Sequence, residues 1–250
     1  MIAVTGHGWG LGIFPLGAAA IAYVFAVMLL RQFASRPRPY LLAWGVALLM
    51  FGLASQSMFI GVLRGWSALD YRLYWLFGAV LNVPFLFQGE LYLLTRNRWW
   101  AHAALAVLLA ATAFAAVKIS RAPIHSRFLL QSLPLGKDVF GDHSLPYRLA
   151  QFYAYPAYFL LLTGLIWSAW QMRGRSELRN RTGGTLAIAL GATIVAIGSG
   201  VGAGLHVVAL FSIALAAGIG VMFWGFVLAG RPPSLRPASA RAHSPVRSEP

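Results

Sequence analysis

The residues able to do chemistry are few, and the densest set lies in one apolar run: Asn82, Pro84, Gln88 and Glu90. Glu90 is the only acidic residue inside any such run. A carboxyl in hydrocarbon is costly, so it points to a proton or cation site. The competing reading is a side chain that reaches the interface, or pairs with Arg96, Arg98 or His102. On a regular helix Gly78, Asn82, Phe85 and Gly89 share one face. Small residues there permit close packing, and the Asn82 amide can bond to a neighbouring helix or to a ligand. Pro84 should kink the helix and free a backbone carbonyl. One carboxylate alone makes no general acid–base pair and no two-carboxylate metal site.

A second group sits in other runs. Gln56 is flanked by Ser55 and Ser57, Gln151, Tyr155 and Tyr158 recur at i, i+4 and i+7, and His206 ends a run that also carries Ser199. With Asn82, their depths suit an outward-facing cavity whose ligand contacts are Gln56, Asn82, Tyr155, Tyr158 and His206. Belt and packing roles compete for the two tyrosines. His7, His125, His143 and His206 should share one face, with Asp138 and Asp142 near His143. His125, Asp142, His143 and His206 are therefore candidate zinc or copper ligands, although no pair has the H-E-x-x-H spacing. His102 and His206 fall at opposite faces, which argues against a shared haem iron. There are no cysteines, so disulfides, iron–sulfur clusters and thiol nucleophiles are excluded.

The elements that must position these residues are legible in the composition. Of 250 residues, 59% are hydrophobic and 10% charged, against about 25% charged in soluble domains. Mean hydropathy is +0.68. Seven apolar runs cover about 9–30, 40–63, 71–94, 99–117, 147–170, 184–205 and 208–229. Each is long enough to cross a bilayer as a helix, and none alternates as a barrel strand would. The expected fold is all-α: a seven-helix transmembrane bundle over residues 1–230. Thirteen of the 20 Lys and Arg fall on segments that an N-out, C-in topology places inside. Residues 231–250, rich in Pro, Ser, Ala and Arg, read as a disordered basic cytoplasmic tail. The loop 118–146 is the expected outer lid or docking surface, with an interfacial helix at Ser126–Leu133. Asp70-Tyr71-Arg72-Leu73 and Pro146-Tyr147-Arg148-Leu149 open two runs alike, as belt tyrosines beside snorkelling arginines. Gly184, Gly191 and Gly198 recur every seven residues and predict close helix packing.

Seven helices with the N-terminus outside invite comparison with microbial rhodopsins. The only lysines are Lys118 and Lys137, both outside the seventh run, so a retinal Schiff base is excluded. The stretches Tyr71-Arg72-Leu73-Tyr74-Trp75-Leu76-Phe77-Gly78-Ala79 and Gln88-Gly89-Glu90-Leu91-Tyr92-Leu93-Leu94 resemble uncharacterised bacterial seven-helix integral membrane proteins. They are also similar to the seven-helix sensor regions of some histidine kinases. The resemblance implies the fold and supplies no catalytic residue.

The expected function is binding of a small or lipophilic ligand in the outward-facing cavity, as a sensor or accessory protein. The alternatives are small-solute or proton/cation-coupled transport through Glu90 and the Asn82/Pro84 region, and a scaffold that pairs through its glycine faces. The residue pattern argues against an enzyme. The net charge of +14 lies in short loops and the tail without a recognition motif, which directs it to lipid and excludes nucleic acid. Expected partners are membrane lipids and a membrane protein or second copy. The expected location is the inner or plasma membrane.

Overall fold

Helices that are apolar all round satisfy their own backbone and have no need of a polar face. That is what this sequence builds. A computed structural model describes residues 6–175, 178–205 and 207–231. Seven helices among them are long and apolar enough to cross a membrane. They are α1 (Gly6–Ser35), α2 (Pro39–Arg64), a composite third helix, α5 (Arg98–Arg121), α7 (Leu145–Gln171), α8 (Arg179–Gly204) and α9 (Val208–Ala229). The third combines α3 (Ala68–Tyr74), a π-helical stretch (Trp75–Leu81) and α4 (Asn82–Leu94). A helix of membrane-crossing length covers each of the seven apolar runs, although α1 runs on to Ser35 and α8 begins earlier, at Arg179. The expected tail, apart from Arg231, lies outside the described residues.

Six of the seven helices close a ring. The order is α1, α2, the third helix, α7, α8 and α9, with α9 returning to α1. Helix α5 stands outside the ring, against α4 and α7, and buries only Ala101, Ala115 and Ile119. The turns after α1, α4 and α7, with the helix ends beside them, carry nine of the 18 arginines and fall at one end, called here the arginine end. The segment between α5 and α7 covers the other.

Glycine sets the tightest contact in the ring. A Cβ on Gly191 would lie 2.5 Å from the Gly218 carbonyl oxygen, and one on Gly218 would lie 2.8 Å from the Gly191 oxygen. Gly184 and Gly225 oppose each other in the same way. Only bare backbones fit there, so the glycine face of α8 is taken up by α9 within the same chain.

Pro84 explains the π-helical stretch. Its ring would crowd the carbonyl of the residue four before it, Val80, and it has no N–H to offer. The wider turn ends as Asn82 N–H reaches the Phe77 carbonyl, five residues back. The expected kink is therefore met by a change of helical pitch.

The loop 118–146 forms a packed cap. Its first residues continue α5, then come a 3-10 turn (Ser126–Leu130) and α6 (Gly136–Phe140), in place of the expected interfacial helix over Ser126–Leu133. Leu129, Leu133, Val139 and Phe140 are buried. Three aromatic side chains donate to carbonyls across the cap: Trp66 to Ser132, Tyr71 to Pro134 and Trp75 to Pro146. The two similar openings thus diverge. Tyr71 is buried and Arg72 donates to the Ile119 and Ala122 carbonyls at the end of α5. Arg148 is exposed, the snorkelling position expected of both. Free carbonyls at a helix C-terminus attract a guanidinium more strongly than open solvent does.

Candidate functional site

Helix α4 is the hub of the polar interior, because its three buried polar side chains are tied to three different helices. Asn82 Nδ2 donates to the Ala47 carbonyl of α2 at 2.8 Å. Gln88 Nε2 donates to the Ala101 carbonyl of α5 at 2.8 Å. Glu90 Oε1 accepts from Ser168 Oγ of α7 at 3.1 Å. All three α4 residues are buried, and Glu90 is only 1% exposed. Successive helical positions 82, 88 and 90 point in different directions, which is why one helix reaches three neighbours.

Glu90 is the residue with unspent chemistry. Among the described residues no cation forms an ion pair with it, and Ser168 supplies its one hydrogen bond. Arg96 and Arg98 lie exposed beyond the helix end, and His102 Nδ1 bonds instead to the Tyr92 hydroxyl at 3.0 Å. Gly164 makes room for the carboxyl side chain: a Cβ there would lie 3.0 Å from Glu90 Cγ. Ser168 was not among the residues read from sequence. Its signal is the small-residue pair Gly164 and Ser168 at i and i+4, on the α7 face that also buries Leu161 and Leu165.

Among the described residues, the expected ligand contacts of the outward-facing cavity face different surroundings. Tyr155 is 61% exposed on the periphery of the bundle. Gln56 is exposed too, with its Oε1 accepting from Tyr23 at 2.7 Å. Tyr158 donates to Thr193 of α8 at 3.1 Å and is half-buried. Asn82 is occupied by Ala47, and His206 lies outside the described residues. Within the stripe Gln151–Tyr155–Tyr158, Tyr155 stands farthest from the buried residues of α7, which include Ala157, Leu161, Gly164, Leu165 and Ala169. An amphipathic tyrosine is comfortable at a bilayer periphery, so its helical register does not reveal which way it faces.

The described metal candidates form no ligand group either. His125 Nδ1 contacts the Val139 carbonyl at 3.1 Å, whereas Asp142 and His143 are exposed. No group of three His, Asp or Glu among the described residues is placed to hold a metal ion.

A cavity does exist where the six ring helices converge. It measures about 20 Å³, roughly one water-sized space. Its wall includes Leu29, Trp44, Leu86, Leu161, Leu165 and Met222. Trp44 Nε1 donates to the Leu86 carbonyl at 3.0 Å, so even this polar atom is satisfied. Leu86 stands one turn before Glu90, and Leu161 and Leu165 flank Gly164. The carboxyl therefore lies beside the cavity wall. Leu29 and Trp44 lie within about two turns of the α1–α2 turn, so the cavity is in the arginine-end half, away from Gln56 and Tyr155.

Fold and site together define an all-helical protein with seven helices of membrane-crossing length. No family model, curated protein or solved structure matches the chain.

Proposed function

We propose that this is a multi-pass membrane protein that couples a proton or cation to the movement of a small solute, with Glu90 as the coupling carboxyl. One observation carries the reading: a carboxyl only 1% exposed, about one turn from the end of the third helix, with a hydroxyl as its partner. An ionised carboxylate without a counter-charge is expensive in such a place. A proton or a visiting cation removes that cost, and exchanging one for the other does work. The π-helical stretch and Pro84 give the middle of the third helix an alternative pitch, which suits a moving part. The proposed orientation puts the arginine end in the cytoplasm of a cell with this protein in its inner or plasma membrane, and the N-terminus outside.

A hydrophobic carbodiimide provides the test, since it labels protonated carboxyls in apolar surroundings. We expect label on Glu90 in the full chain, none on the Glu90→Gln variant, and slower labelling as pH or cation concentration rises. A Glu90 that stays unlabelled, or labels at a rate independent of both, would falsify the proposal.

The second reading is binding of a lipophilic ligand as a sensor or accessory protein; the cavity at Trp44 and Leu86 is apolar, but at about 20 Å³ it must widen to admit one. Native mass spectrometry from mild detergent should then show a reproducible added mass that is absent from a Leu86→Trp variant. A bare mass in both removes this reading. A scaffold pairing through Gly191 and Gly198 has less room, because α9 already covers that face.

A further inference from the structure

A second feature is independent of Glu90. At the arginine end a groove of about 510 Å³ opens between the α1–α2 turn and the start of α8. Gln32, Ser35, Arg36, Arg38, Tyr40 and Arg181 line it. Three arginines thus converge from two parts of the chain far apart in sequence. Among the described residues no acidic side chain lines the groove, and none of the three arginines forms an ion pair with a carboxylate. Guanidinium groups left together without an anion repel one another, and they are the side chains best shaped to grip phosphate oxygens in pairs.

The groove is also stiff. Arg36-Pro37-Arg38-Pro39 alternates arginine with proline, and each proline holds the residue before it extended. Arg38 has φ −117° and ψ 122°, as that rule requires. Ser35 Oγ donates to the Gln32 carbonyl at 3.0 Å, closing the last turn of α1 on the other wall. Little ordering is left for a ligand to impose. Position supplies the rest of the argument. The groove lies at the mouth of the helices, where head groups sit, and Tyr40 with Leu41 gives it a partly apolar floor. A free phosphate has no use for that floor, whereas the glycerol end of a lipid does.

We propose that this groove binds the phosphate headgroup of an anionic phospholipid, held by Arg36, Arg38 and Arg181. Native mass spectrometry of the full chain in mild detergent tests it, with phosphatidylglycerol, phosphatidylcholine and inorganic phosphate titrated separately. Phosphatidylglycerol should be retained in preference to phosphatidylcholine. The triple variant R36Q/R38Q/R181Q should lower its retention at least about tenfold. The triple variant R96Q/R173Q/R175Q removes the same charge from the same end and should keep retention within about twofold. Equal loss in both variants would mean that total charge holds the lipid, and would overturn the site. Equal retention of phosphatidylcholine would also overturn it. Inorganic phosphate that displaces phosphatidylglycerol would assign the groove to a soluble anion instead. All six arginines are exposed, so folding should survive. If the first triple variant elutes as an aggregate, the single Arg181→Gln variant decides, with an intermediate loss expected and no loss overturning the proposal.

Discussion

Ser168 on α7 donates a hydrogen bond to Oε1 of Glu90 on α4 at 3.1 Å, and this is the only polar link described between those two helices at that depth. Removing the hydroxyl leaves a buried carboxyl without a protein partner. Ser168→Ala should therefore lower stability by about 1–3 kcal/mol, read by thermal unfolding in detergent. A double-mutant cycle with Glu90→Leu should show that the two losses do not add, because the orphaned group is gone in the double variant. Additive losses would mean that the hydroxyl and carboxyl do not interact.

The glycines of α8 divide into two kinds, and substitution should distinguish them by sign. A Cβ at Gly191 would meet the Gly218 oxygen at 2.5 Å and the Met222 nitrogen at 2.8 Å, both backbone atoms that cannot step aside. Gly200 has nothing within 4 Å. Gly191→Ala should therefore destabilise the protein by about 3 kcal/mol. Gly200→Ala should stabilise it by about 0.5–1 kcal/mol, through helix propensity alone. Melting temperatures of the two variants on either side of the wild type would show the difference, and a shift in the same direction for both would refute it.

These glycines also mark how far the sequence could be read. Seven helices were legible because bilayer thickness fixes the length of an apolar run. Glu90 was legible because charge in such a run is costly. The glycine spacing announced close packing but not its partner, since a neighbour in the chain and a second protein demand the same small residues. The facing of Tyr155 was not legible, because a lipid-covered surface and a protein interior are both apolar and hydrophobic pattern cannot tell them apart. Arg36 and Arg181 were each visible as loop charges. Their meeting in one groove depends on ring closure through α9 and α1, which no local pattern encodes.

Arg72 and Arg148 occupy matching places in similar tetrapeptides, yet only Arg72 is built into the cap. Its Nη2 donates to the Ala122 carbonyl at 2.8 Å and its Nε to Ile119 at 3.1 Å. Loss of two charge-assisted bonds should let the cap open more often. Limited trypsin cleavage at Arg127 and Lys137 should speed up by about tenfold in Arg72→Gln. Arg148→Gln should leave the rate unchanged. An equal effect in both variants would show that the cap does not depend on Arg72.

Asn82 separates structural bonding from function. Its amide is buried and donates to Ala47 at 2.8 Å, and Asn82 is not among the residues lining the central cavity. Asn82→Leu should cost about 1 kcal/mol, the ordinary worth of one interhelical hydrogen bond in a membrane. Carbodiimide labelling of Glu90 should keep its wild-type rate and its response to pH, because Asn82 turns toward α2 while Glu90 turns toward α7. A small loss of stability with unchanged labelling would assign Asn82 to holding α4 in register. A change in labelling at constant stability would instead place Asn82 on the same path as the carboxyl, and the division of α4 into separate contacts would have to be given up.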